Sequence, residues 1–342
     1  FDPDHEIISL DDYYRRYQQY HTDSNLLALR AAKPISAVWD DHEIANDGWV
    51  GGAENHDPMT EGPWSDRRMA ATQAYFDWLP IREAEYGRVY RQLPYGDLVD
   101  IIVLDTRYEG RDEQIPLTDP DALTKINAED RQLLGAEQEA WCFDKLSNST
   151  AQWKLLAQQV MVGQIIFVPG ENGEPNKPFI TDPWDGYDAA RRRLLGHIKD
   201  NGIRDVVVLT GDIHSSFVNE LVPNPYIDYD SDTGTGAIAV EFVTPGITSP
   251  GLSLDQATID LLLSRNPQMR WLDVLKKGYL VIDVDTQRIH GDYFHYTAAQ
   301  VGNPEFTGSS FAAAWAVTSG TPRMNEVSGP IDGIADAPPL AP

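Results

Sequence analysis

The chain has 342 residues, 42% hydrophobic and 23% charged, an ordinary globular composition with room for one large core or a core plus a small appendage. Its net charge of −26 argues against binding a nucleic-acid backbone, which needs basic stripes, and fits a chain that binds cations or stays dissolved in salt. The single cysteine, Cys142, rules out an internal disulfide, and no apolar run reaches membrane-spanning length.

Ser9 followed by Asp11 and Asp12 predicts a helix start, with one helix or two short ones over Asp11 to Ala31. Tyr13, Tyr17 and Tyr20 lie near one face there and read as core packing. Pro34 ends this segment, and Ile35 to Trp39 then reads as a short buried strand. It delivers Asp40, Asp41, His42, Glu43 and Asn46 to the loop beyond it. Clustered acids repel one another and lose hydration in such a place, a cost that a cation or phosphate-like ligand offsets. The same residues also fit a solvated turn that caps a helix.

Gly48 to Pro63 reads as a loop, with His56 and Asp57 as solvated residues on it, and Ser65-Asp66 starts a helix that ends at Pro80. Arg88 to Leu93 and Leu98 to Leu104 form a predicted hairpin around Pro94 to Asp97. Its second strand delivers Arg107, whose guanidinium fork matches phosphate oxygens but equally suits a structural ion pair. Gln138 to Leu146 is an amphipathic helix that buries Cys142, and Trp153 to Met161 is a strand with Gln158 and Gln159 near its end. Tyr187 to Lys199 is a basic-faced helix leading into Asp205 to Leu209, a buried strand that ends in Gly211-Asp212-Ile213-His214. Strands follow near Phe217 to Leu221 and Ala237 to Val243, separated by an acidic turn, Asp228 to Asp232, that is a weak calcium motif. A helix ends near Ser264, and Gly278 to Asp283 with Arg288 to Tyr296 make a last hairpin.

Trp39-Asp40-Asp41-His42-Glu43 with Asn46, Leu104-Asp105-Thr106-Arg107 and Gly211-Asp212-Ile213-His214 together closely resemble the PhoD-type alkaline phosphatases of the metallophosphoesterase superfamily. The resemblance continues through Gln138 to Trp141, Trp153 to Met161, Glu241 to Val243 and Gly278 to Leu280. It implies an α/β fold, the calcineurin-like two-sheet sandwich flanked by helices. Residues 1–297 would form the catalytic domain and 298–342 an irregular tail.

Aligned with the superfamily's Gly-Asn-His-Asp/Glu element, Asp41 stands where the Asn ligand sits. His42 stands where a phosphate-contacting, proton-donating His sits. Asp212 replaces the first His of a Gly-His-x-His element, and His214 keeps the second. The resemblance thus implies metal ligands among Asp40, Asp41, Asp212 and His214, with Gln159 where relatives carry a His. Arg107 would clamp phosphate, and Asn46 would contact phosphate or a carboxylate that supports the metal ligands. Carboxylates in place of neutral donors favour Ca²⁺ beside the Fe³⁺ that the family implies.

Cys142 does not match the family's iron-binding cysteine, and Asn266-Pro267-Gln268 stands where relatives carry Asn-Pro-His. The family's early motifs are not found, so the chain reads as the larger carboxyl-terminal part, needing an upstream segment to complete the site. The expected reaction is metal-dependent hydrolysis of phosphate mono- and diesters, with inorganic phosphate as product and a secreted or periplasmic location. Two other readings remain open: a phospholipase D-like diesterase, and a catalytically silent fragment that only holds calcium.

Overall fold

The computed structural model describes residues 1–82, 87–171, 174–302 and 308–332. Ser9 caps α1 (Leu10–Tyr20) by accepting from the Asp12 amide, while the Asp12 carboxylate accepts from the Ser9 amide, so two otherwise unpaired helix-end donors are satisfied together. After α2 (Ser24–Ala32) the chain is extended but makes no strand. The predicted strand at Ile35 is therefore corrected. Its carbonyls are taken by side chains instead of a ladder: Arg91 donates to Ala37 O and Gln159 to Trp39 O. A short α3 (Pro58–Glu61) and α4 (Trp64–Trp78) follow. Tyr13, Trp39, Ile44, Tyr75 and Tyr108 form an amino-terminal cluster with α4. Tyr17 stacks on Trp78, whereas Tyr20 is exposed, so the tyrosine stripe is only partly core.

The hairpin of β1 (Arg91–Tyr95) and β2 (Val99–Val103) opens the main sheet. A short α5 (Ala122–Ile126) and then α6 (Gly135–Asn148) carry the chain to β3 (Trp153–Gln158), parallel to β2. The small pair β4 (Ile166–Val168) and β5 (Lys177–Pro178) precedes α7 (Asp188–Asp200), which leads to β6 (Val206–Thr210), parallel to β3. β7 (Ser216–Leu221) and β8 (Ala239–Val243) continue the sheet. After α8 (Gln256–Arg265), β9 (Met269–Asp273) closes it in the order β1-β2-β3-β6-β8-β7-β9. The second sheet is antiparallel: β10 (Lys277–Val284), β11 (Arg288–Tyr296), β12 (Ser310–Thr318) and β13 (Thr321–Val327).

Strand alternation explains the layers, because successive side chains point to opposite faces. Leu156, Val206 and Val208 face α6 and α7, meeting Cys142, Leu146, Leu194 and Ile198. Leu155, Val207, Val240 and Phe242 face the second sheet, meeting Ile289, Tyr293, Trp315 and Met324. The sheets approach so closely at Gly291 that a Cβ there would lie 2.6 Å from the Phe242 ring. The expected two-sheet sandwich flanked by helices is the fold found.

The irregular tail is not found among the described residues from 310 to 327, and residues 303–307 and 333–342 of that expectation lie outside the described residues. Residues 310–327 form a hairpin that completes the second sheet, with Tyr293 opposite Ala313 and Gly291 opposite Trp315. Its alanine-rich first strand carries little strand propensity of its own, and tertiary pairing supplies what local preference does not. Pro322 is tolerated because β13 is an edge strand.

Burial within α6 pushes the Cys142 thiol up to about 12. At pH 8 a maleimide should label it at least ~10²-fold more slowly in the folded chain than in urea, since the thiolate is the nucleophile. Mass spectrometry of timed samples reads this, and equal rates would mean that α6 is not docked.

Candidate metal and phosphate site

Loops at the carboxyl ends of β2, β3 and β6 meet the Asp40 turn, the position where open α/β sheets build their sites. At the centre lies Arg107, whose side chain is fully buried. Its Nε donates to Asp40 Oδ1 at 2.7 Å and its Nη1 to Asp182 Oδ1 at 2.8 Å; Nη2 donates to Asp212 Oδ1 and lies 4.0 Å from Asp41 Oδ1. Arg111 adds a second guanidinium, bonded to the carboxylate and carbonyl of Asp182 and to Thr106 O. Gln114 spans Asp47 O and Asp182.

The local backbone is shaped to make this convergence. Asp212 (φ 63°) and His214 (φ 55°) both sit in the left-handed region after β6, and Asp47 (φ 49°) does so after the acidic turn. Such conformations are uncommon for residues other than glycine and cluster where function requires them. Asp41 fixes its own turn, accepting from the amides of His42 and Asp47 at 2.8 Å each. Tyr108 donates to Asp41 O, and Asp105 accepts from the amides of Arg107 and Tyr108, holding the arginine loop in place.

The charges do not balance. Burial raises Asp40 and Asp212 despite the opposing pull of Arg107, and neighbouring acids add to the rise. Burial acts against ionisation at Asp182 too, yet Arg107 and Arg111 outweigh it and hold that carboxyl well below its usual range. Burial and then the Asp182 charge push Asp47 up to about 6. One ligand oxygen each from Asp40, Asp41 and Asp212 lies within 4.8 Å of the others. This oxygen set, short of positive charge, fits a hard cation.

Asp40, Asp41, Asp212 and Arg107 are thus brought together as expected. The other residues stand differently. Gln159 is corrected as a ligand: its Oε1 accepts from Thr106 N and Oγ1, and its Nε2 donates to Trp39 O and Leu104 O, so the amide staples two site loops. His214 lies outside the carboxylate group, with Nδ1 2.9 Å from Pro250 O. Asn46 donates to Glu54. His42 is 70% exposed, with Nε2 4.0 Å from Asp41 Oδ2. The His56 side chain is not solvated but buried, with Nδ1 3.0 Å from Glu61 Oε2 and the ring packed on Trp64. Sequence reasoning missed Asp182 and Arg111 as site members. Asp182 had a usable signal, an acid just past apolar Phe179-Ile180, but nothing local links it to Arg107.

Residues 1–293 match the PhoD-like phosphatase family. The chain belongs to that family. It is 35% identical over 294 residues to alkaline phosphatase D of Bacillus subtilis (strain 168), covering 84% of this chain and 48% of that protein. A solved chain described as "Structure of PhoD" superposes with a TM-score of 0.80 at 33% identity, over 95% of this chain and 61% of that one. This PhoD-like chain therefore spans about half the length of the curated relative it matches. Among its described residues, no helix is long and apolar enough to cross a membrane.

Proposed function

We propose that this chain hydrolyses phosphate esters, mono- and diesters, with bound cations as cofactors. The observation that carries the reading is the fully buried Arg107 fork ringed by Asp40, Asp182 and Asp212 at the carboxyl end of a parallel sheet. Asp40, Asp41 and Asp212 would hold the cation, Ca²⁺ first by their hard oxygens, with Fe³⁺ implied by the family resemblance and His214 as a further donor. A bound cation supplies phosphoryl polarisation and a more acidic water. Arg107 clamps the phosphoryl oxygens, held in register by Asp182, which is itself steadied by Arg111 and Gln114. His42, exposed at the rim, protonates the leaving oxygen, and Asn46 orients the acidic loop through Glu54. A secreted or periplasmic location follows from the family resemblance.

Dialysis against a chelator should lower turnover on a chromogenic phosphomonoester and on its diester partner by at least ~10²-fold, since Lewis-acid stabilisation is worth several kcal/mol. Ca²⁺ with Fe³⁺ should restore it. Turnover that survives complete metal removal would end the metal-dependent reading. Bound metal with no turnover on either ester would leave a calcium-holding module instead.

A further inference from the structure

The loop that leaves β8, residues 244–254, starts at the carboxyl end of the main sheet, where Thr244 N donates to Thr210 O at 2.9 Å. Its carbonyls are then taken one by one. Gly278 N donates to Gly246 O at 3.2 Å, Tyr296 Oη to Ile247 O at 2.6 Å, and Lys277 Nζ to Ser249 O. Lys277 opens β10 and Tyr296 closes β11 directly opposite it, so all three donors come from one corner of the second sheet. The next carbonyl, Pro250 O, lies 2.9 Å from His214 Nδ1.

A carbonyl can only accept, so in this contact Nδ1 carries the proton of the neutral ring and Nε2 keeps the lone pair. The position of the loop therefore decides the tautomer of His214. The loop also presses on His214 from its far side. A Cβ on Gly251 would lie 2.3 Å from Val274 O and 3.0 Å from His214 O, and Leu252 N donates to Ser215 Oγ just beyond. Lys277 is 6% exposed, and its hydrogen-bond partner among the described residues is Ser249 O. A buried ammonium bonded to one neutral carbonyl returns less than its desolvation costs, so it is a poor means of holding the fold together. What it does hold is the residue before Pro250.

We propose that Lys277 is a positioning residue for His214: from the second sheet it holds the 246–250 loop so that Pro250 O accepts from Nδ1–H and Nε2 is left as the acceptor of the ring. The tautomer follows from the loop geometry alone. Its use, offering Nε2 to a bound cation, rests on the phosphate-ester reading above. Histidines that bind metals through one ring nitrogen are commonly oriented by such a bond from the other.

The test is long-range proton–nitrogen NMR of the metal-free full chain at pH 8, labelled with ¹⁵N at histidine, with His214→Gln assigning the resonance. Wild type should show His214 as the Nδ1–H tautomer. Lys277→Met releases Ser249 O and should leave His214 exchanging between tautomers. Lys277→Arg keeps a charged donor and should restore the wild-type pattern. Gly251→Ala pushes the loop away from the far side and should give the Lys277→Met pattern. It decides the matter if Lys277→Met loses its folded circular dichroism. Calorimetric titration with Zn²⁺, a metal that imidazole suits, should show Lys277→Met and Gly251→Ala binding roughly 10–100-fold more weakly than wild type. The wild-type tautomer retained in these two variants, with or without a fall in melting temperature, would overturn the proposal and leave Lys277 a structural residue. An altered tautomer with equal Zn²⁺ affinity in wild type, both variants and His214→Gln would uphold the positioning role and count against His214 as a cation donor.

Discussion

Arg107→Leu should abolish phosphate-ester turnover and cost the metal-free chain about 3–5 kcal/mol of stability, the usual penalty for removing one partner of a buried ion pair. The guanidinium is the shared counter-ion of Asp40, Asp182 and Asp212, and burial already disfavours ionised Asp40 and Asp212 with it present. Its loss leaves Asp40 and Asp212 without their counter-charge and with only partial access to water, while Asp182 keeps Arg111. Cation binding should return part of that stability, because positive charge is what the site then lacks. Arg107→Lys separates the two roles that the sequence left open. A lysine keeps the charge but not the fork, so most of the stability should return while inhibition by inorganic phosphate weakens. Denaturant midpoints and phosphate inhibition constants read the two effects separately. Unchanged phosphate inhibition in Arg107→Lys would reduce this residue to a structural ion pair.

His42→Ala should lower turnover on alkyl phosphates by about 10²–10⁴-fold, the range for loss of a general acid, while sparing activated aryl esters whose leaving oxygen needs no proton. The geometry favours this split. The imidazole is mostly exposed, stands 4.0 Å from the nearest Asp41 oxygen and lies outside the carboxylate group, so metal content should stay at the wild-type level. Loss of metal in this variant would make His42 a ligand. An equal fall on good and poor leaving groups would remove the proton-donating role and leave only electrostatic positioning.

What the sequence determined by itself were the elements whose cause is local. Ser9 and Asp12 cap α1 through groups three residues apart, and the apolar run 206–209 makes a buried strand wherever a sheet accepts it. The motif at 211–214 follows directly, as does the arginine loop after β2, so Asp40, Asp41, Asp212 and Arg107 were all legible. Tertiary structure decided the rest. Ile35 to Trp39 looks like a strand, but among the described residues it pairs with no neighbour, and Arg91 and Gln159 take the carbonyls of Ala37 and Trp39. The alanine-rich residues 311–316 look like nothing, yet β11 pairs with them and a strand results. Gln159 looked like a ligand because it stands where relatives carry a metal-binding His, and its amide is consumed by four groups from two loops. Asp182 reaches Arg107 across 75 positions because sheet order sets which loops meet, and propensity and pattern act over only a few residues. Local chemistry chose the side chains of this site, and the parallel pairing of β2, β3 and β6 brought their loops face to face.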